Sequence, residues 1–330
     1  MENSDASESK ATARGGVNRV LAKLELSIQS GNYYEAHQMY RTLYFRYLSQ
    51  KRYDDCLELL FKGAMRFLVN EQYGSGADLG LLVVDTLEKA KNVSDYELWI
   101  QRLGLLISKI NPNIVERETL LARSVKWSSD VSNNKMGHPL MHKLIAHMFW
   151  TEENLEQARH HYLLSRDGTG CGKMLIQLSQ SKGYPSETDL FIAQVVLQQL
   201  CLKEKSSAVQ TFETFTKHHP VIAASEPPFK MPLLNFVFYL LKLIDTGKLN
   251  IFRTLCDLYK PSIARDPSYE KYLQKIAVFY FNAPPPQSSN NSGGGLFADL
   301  INQFFQGFDD DDEDNNAASA NTNAADVDLD

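Results

Sequence analysis

From Val17 to Phe281 apolar residues recur at three- and four-residue intervals, and the pattern breaks about every fifteen to twenty residues at Gly, Asn, Pro or Ser. That spacing draws one apolar stripe along a helix, whereas a half-buried strand requires strict alternation, which is nearly missing here. The chain therefore reads as all-α, with helices over 17–30, 33–49, 53–69, 76–91, 95–110, 114–129, 139–151, 154–165, 170–181, 186–203, 205–217, 231–245, 248–259 and 268–281.

The breaks resemble one another. Gly31-Asn32-Tyr33-Tyr34-Glu35-Ala36, Lys51-Arg52-Tyr53-Asp54-Asp55-Cys56 and Glu153-Asn154-Leu155-Glu156-Gln157-Ala158 each give a polar stop, an apolar residue, acids and then a small residue. Acids suit a helix N-terminus, where free amides and the macrodipole favour negative charge. The small residue lets the next helix come close, and Tyr40 and Tyr162, four positions beyond Ala36 and Ala158, should pack on the neighbouring helix. Hairpins repeated in this way stack, because no single pair covers its own apolar face. The expected architecture is an α-solenoid of tetratricopeptide-like hairpins, with a compact bundle as the alternative.

The rhythm fails in two places. His218 to Pro232 (HHPVIAASEPPFKMP) holds four prolines and cannot be helical throughout, so it reads as a long connection carrying a short β-hairpin or a docking loop. After Phe281, Pro284-Pro285-Pro286 and QSSNNSGGG have linker composition. The implied layout is a disordered N-terminus (1–16), two helical-repeat halves (17–151 and 152–282), a linker (283–295), an amphipathic helix (296–308) and a disordered acidic tail (309–330). In the amphipathic segment Leu296, Phe297, Leu300, Ile301, Phe304, Phe305 and Phe308 form one stripe, which either docks in cis or engages a partner.

Charge narrows the function. Nine of the 40 acidic residues lie between Asp309 and Asp330, which leaves 31 acids against 34 bases, or +3, for the remainder. Such a body lacks the concentrated basic face that nucleic-acid binding requires. The run Leu233 to Ile244 is too short to span a bilayer and contains Lys242, and Met1 to Gly16 has no apolar core of the kind a signal peptide needs. Cys56, Cys171, Cys201 and Cys256 are scattered in helical patterns without any C-x-x-C pair, which fits buried thiols in a reducing compartment.

No catalytic set stands out. Asp167-Gly168-Thr169-Gly170-Cys171-Gly172-Lys173-Met174 lacks both the first glycine and the magnesium-binding hydroxyl of a phosphate loop, and it reads as a helix–helix turn. Gly74-Ser75-Gly76-Ala77-Asp78-Leu79-Gly80 has the wrong spacing for a dinucleotide site and reads as a loop and helix start. His138 and His142 lie four apart, but Pro139 puts His138 at the helix start and no third metal ligand is marked nearby.

Against that background the segment from Asn32 to Leu43 (NYYEAHQMYRTL) is specific. It resembles the signature of the guided-entry factor four family, the helical subunit of the cytosolic machinery for tail-anchored membrane proteins, known in animals as the transmembrane-domain recognition complex. Gly74 to Leu79, Lys126-Trp127-Ser128-Ser129 with Gly137-His138-Pro139, and Pro227-Pro228-Phe229 with Pro232 to Phe236 follow in the same order. The resemblance runs from about Gly16 to Phe308, with an animal-type ending. It implies a solenoid without a catalytic site or cofactor, acting as a cytosolic scaffold that is not inserted in a membrane.

The resemblance further implies that the N-terminal half docks the tail-anchored-protein targeting ATPase, through Asp78 and Arg19 and, on the motif helices, Arg41 and Arg46. A further basic position of the fungal surface is Ser49 here. The C-terminal half is implied to cradle a BAG-domain scaffold protein, BAG family member six, which bridges to a ubiquitin-like subunit. Phe229, Tyr239 and Phe281 are the aromatic candidates for that cradle. The expected function is an adaptor that passes tail-anchored proteins to the ATPase for insertion at the endoplasmic reticulum and takes part in quality control of exposed hydrophobic segments. Its rivals are a helical-repeat scaffold of another assembly and a direct chaperone of hydrophobic clients.

Overall fold

The computed structural model describes residues 19–90, 93–223 and 226–284. Five of its interhelical turns are built alike. Gly31, Lys51, Glu71, Glu153 and Lys203 all adopt left-handed backbone, with φ of 76°, 55°, 59°, 62° and 64°. The amide of the next residue reaches back to the last helical turn: Asn32 to Ser27, Arg52 to Tyr47, Gln72 to Phe67, Asn154 to Phe149 and Glu204 to Gln199, all at 2.8–3.0 Å. This is a Schellman closure, and it satisfies carbonyls that the helix end would otherwise leave without partners.

The residue that closes one helix also opens the next. Its carbonyl accepts the amide of the residue four positions on, which is Ala36, Cys56, Gly76, Ala158 or Ala208. All five are buried, and the four that carry a Cβ are 0% exposed. A bulky side chain there would hold the two helices apart.

The helices this produces are α1 (19–29), α2 (Tyr33–Ser49), α3 (Tyr53–Val69), α4 (Tyr73–Ala90), α5 (Tyr96–Lys109), α6 (Val115–Ser132), α7 (Pro139–Thr151), α8 (Leu155–Leu164), α9 (Gly168–Lys182), α10 (Thr188–Cys201), α11 (Lys205–His218), α12 (Pro232–Leu243), α13 (Leu249–Leu258), α14 (Lys260–Ile263) and α15 (Ser268–Phe281). Neighbours pair (α2 with α3, α3 with α4, α7 with α8), and contacts then skip one helix, α4 to α6, α5 to α7 and α9 to α11. That is the pairing of an α-solenoid. Tyr40 and Tyr162 are buried as expected, Tyr40 edge-on to Phe67 and Tyr162 edge-on to Trp150.

The pattern changes at α10. This helix is enclosed all round: Ile192, Ala193, Val195, Val196, Leu197, Leu200 and Cys201 are buried, and so are Asp189, Gln198 and Gln199. It packs against α9, α11, α12 and α15. Two of these buried polar groups find partners on α15 and in the loop before it: Gln198 donates to the Tyr272 hydroxyl, and Asp189 accepts from Arg265.

Several expectations are corrected. Gly74 and Gly76 are not loop residues, because α4 already begins at Tyr73. A Cβ at Gly76 would stand 2.6 Å from Leu68 Cδ2, so this glycine marks close helix approach rather than a turn. The glycines of the phosphate-loop-like segment lie inside α9. Asp167 caps that helix by accepting from the Gly170 amide at 2.9 Å, and a Cβ at Gly168 would meet the Ser207 carbonyl at 2.4 Å.

Of the two readings of His218 to Pro232, no strand forms among its described residues and the loop is what is found. A 3₁₀ turn, Pro185–Glu187, precedes α10, and the short α14 with Pro261 in its first turn was not anticipated. The expectations for 1–16, for the linker from 285 onward, for the helix at 296–308 and for the tail fall outside the described residues.

Two substitutions test this account. Left-handed backbone disfavours a side chain, so Glu71→Gly and Glu153→Gly should each raise stability by about 0.5–1 kcal/mol after the glycine's added unfolded-state entropy is subtracted. Gly168→Ala should lower it by about 1–3 kcal/mol, because backbone rather than a flexible side chain must give way. Urea denaturation of each variant beside the parent measures both.

Candidate functional site

The N-terminal candidates begin with α2. His37 and Arg41 lie four residues apart on one face of this helix, and both reach Asp78 on α4. His37 Nε2 donates to Asp78 Oδ2 at 2.8 Å, and Arg41 Nη1 lies 3.1 Å from each carboxylate oxygen. The Asp78 side chain is 32% exposed. Its pKa is lowered, first by the hydrogen bond from His37 and further by the Arg41 charge, while burial opposes both. The stabilisation from this carboxylate is therefore present above the ordinary aspartate range and is lost as pH falls through the depressed folded value.

Two more acids of α4 follow along the same face. Tyr44 of α2 donates to Asp85, Lys89 Nζ stands 3.1 Å from the Tyr44 hydroxyl, and Arg123 of α6 reaches Glu88 at 2.6 Å. Asp78, Asp85 and Glu88 thus stitch α4 to α2 and α6. Arg46 lies in the last turn of α2, where a cation suits the dipole, and five residues of helix turn it about 140° from Arg41. Arg19 is exposed at the start of the described part of α1.

Of the four N-terminal candidates, then, Arg41 and Asp78 meet, and they meet each other. His37 is the member that sequence reasoning missed. Its place four residues before Arg41 was a usable signal.

The C-terminal candidates separate by burial. Phe229 is 8% exposed, edge-on to Phe212 at 6.0 Å and to Phe238 at 6.3 Å. Asn235, in the first turn of α12, brackets its backbone: the Phe229 amide donates to Asn235 Oδ1 at 2.6 Å, and Asn235 Nδ2 donates to the Phe229 carbonyl at 2.8 Å. This side-chain amide replaces the ladder a β-hairpin would have supplied, so the proline-rich segment holds its place without a strand.

A groove of about 730 Å³ lies between α11, this loop and α12, lined by Val209, Phe212, Pro227, Phe229, Phe238 and Leu241 together with Lys205, Glu213, Lys217, Lys242 and Asp245. Tyr239 is 43% exposed on α12, its ring 5.4 Å from that of Phe238. Phe281 is a packing residue, 2% exposed and stacked on Phe252 at 4.6 Å, so its side chain offers nothing to a partner. A second hollow, of about 390 Å³, lies among α13, α14 and α15 over Phe252, Ile263 and Leu273, bordered by Asp257, Asp266 and Glu270.

The polar chemistry elsewhere is packed away. His138 caps α7, its Nδ1 accepting from the Leu140 amide, and among the described residues no three metal-ligating side chains gather. Cys56, Cys171 and Cys201 are buried, and burial pushes their thiols up, to about 11 for Cys56 and about 12 for the other two. No helix among the described residues is long and apolar enough to cross a membrane.

Comparison with known proteins adds three observations. The profile of the family described as Golgi to ER traffic protein 4 matches residues 50–305. A Golgi to ER traffic protein 4 homolog from Homo sapiens is 47% identical over 284 residues, 86% of each chain, and its counterpart from Xenopus tropicalis is 46% identical over the same length and shares. The crystal structure of C. therm. Get4 superposes with a TM-score of 0.75 at 23% identity, covering 88% of this chain and 96% of that one, which shows the common fold.

Asp78→Arg should set a second cation against Arg41, leave His37 without its acceptor and lower stability by about 1–3 kcal/mol, with Asp78→Asn costing less. Thermal melts of both variants check this. An unchanged melting temperature for Asp78→Arg would show that the α2–α4 contact carries no strain of this kind.

Proposed function

Because the chain belongs to the Golgi to ER traffic protein 4 family, we propose that it is a non-enzymatic adaptor in the delivery of tail-anchored membrane proteins to the endoplasmic reticulum. The observation that carries this reading is the match itself, 46–47% identity across 86% of both chains. An all-helical stack in which three of the four thiols are buried fits a role in geometry rather than chemistry.

In this reading the N-terminal half docks the targeting ATPase, with Arg19 as the accessible cation, and the C-terminal half cradles the BAG-domain scaffold, which bridges to the ubiquitin-like subunit. The work is done in the cytosol. Two partners held on one stack meet at a raised effective concentration, so a client passes between them faster than it would escape. The aromatic groove beside Tyr239 supports a longer-lived C-terminal contact, and the charged α1–α2 face supports a transient, salt-sensitive one.

Burial decides which variants test this. Phe229→Ala removes a buried ring and should cost about 3–5 kcal/mol of stability, so a loss of binding there would be ambiguous. Tyr239→Ala changes a side chain that is 43% exposed. It should weaken capture of the BAG-domain scaffold by about tenfold or more with the melting temperature held. Arg19→Glu should weaken only the ATPase, and more so at low salt. Affinity capture from cytosol, with both partners quantified for each variant, is the measurement. Retention of both partners by both variants would count against the assigned faces, and recovery of neither partner by the parent chain would count against the function.

A further inference from the structure

Where α7 meets α8, two buried imidazoles share one hydrogen bond. His142 Nδ1 lies 2.9 Å from His161 Nδ1, and His142 Nε2 lies 2.6 Å from the Met136 carbonyl in the loop that leads into α7. A carbonyl only accepts, so His142 carries its proton on Nε2 and presents a bare Nδ1, and His161 must donate from its own Nδ1. The two side chains are 2% and 6% exposed. His161 also stacks on Phe149 of α7, with centroids 5.7 Å apart. Only one pair of neutral tautomers satisfies these contacts.

We propose that this junction is the joint at which the stack first opens in acid, with His142 and His161 as its latch. A proton added to His142 goes to Nδ1 and sets one donor against another. A proton added to His161 leaves the shared bond intact but places a charge among aromatic rings.

The Met136 carbonyl favours a charged His142, but it already accepts from Nε2 in the neutral form, and burial outweighs it. The side chains acting on the pair are His138, which caps α7, and His160 of α8, both of like sign once protonated. Glu152, at the end of α7, is already taken by Arg117 of α6. Burial accordingly pushes His142 down to about 4 and His161 well below its ordinary value. With folded values depressed, the pair stabilises the neutral fold above the range of free histidine, near 6.5. That contribution drains away as pH falls from about 6.5 toward 4, before the carboxylates of the α2–α4 contact titrate.

The loss is local because the bonds are local. His142 holds the α6–α7 loop through Met136 and holds α8 through His161, so repulsion within the pair frees residues 136–164 while the Schellman turns upstream keep their own closures.

Hydrogen exchange of the full chain at pH 7 and pH 5, corrected for intrinsic rates, tests this. Peptides within 136–164 should lose about tenfold or more in protection at pH 5, with α3 and α4 changing less than about threefold. A uniform loss along the chain, or unchanged protection in 136–164, would overturn the proposal. The double variant His142→Gln with His161→Leu keeps a donor for Met136 but cannot take up charge at the latch, so the acid response of this segment should fall at least severalfold, to what His160, also pushed down to about 4 by burial, still supplies. An acid response undiminished in the double variant would overturn the proposal. Should the variant not fold, nitrogen-15 spectra of the histidine rings at pH 7 decide: protons on His142 Nε2 and His161 Nδ1 support the latch, and any other tautomers overturn it.

Discussion

Two helices joined by a short turn cannot both lie flat against their neighbours unless the residue in the first turn of the second that faces the first is small. Ala36, Cys56, Gly76, Ala158 and Ala208 meet that condition. Each sits at the position where the opening carbonyl of its helix makes the first intrahelical bond, so helix start and helix approach are fixed by the same residue. The apolar stripes can then interlock along successive pairs, and burial of that surface, the largest favourable contribution to folding, becomes available. The glycines inside α4 and α9 extend the same logic along the helices.

The periodicity was legible because it follows from backbone geometry alone, and helix boundaries in the structure lie within about three residues of their expected places almost throughout. Three of the five like turns could be seen by eye. The other two, Glu71 to Gly76 and Lys203 to Ala208, were hidden by their letters: glycine and serine next to a charged residue look like loop whether or not they lie in a helix. A single sequence does not distinguish a glycine that bends the chain from one that lets another helix touch it.

Partners were harder to read. Asp78 pairs with residues 37 and 41 positions away, and Lys89 reaches one 45 positions away, because contacts in this stack skip a helix. No local pattern carries that offset. Charges that looked like a docking surface, Arg41 and Asp78, are therefore largely engaged with each other. Aromatic rings divided in the same way, since Phe281 and Tyr239 are alike in composition terms and opposite in exposure. Family resemblance supplied the candidate faces, and burial decided which side chains on them are free to be used.

The enclosure of α10 by α9, α11, α12 and α15 gives the molecule a direction. Upstream, each pair leans mainly on its neighbours, so a hairpin could be duplicated or deleted there and the stack would close over the gap. Downstream of α9 the pairs are not interchangeable, because α11, α12 and α15 all wall in the same buried helix. Length variation among relatives of this chain is thus expected to collect toward its beginning, while its far end behaves as one indivisible cap.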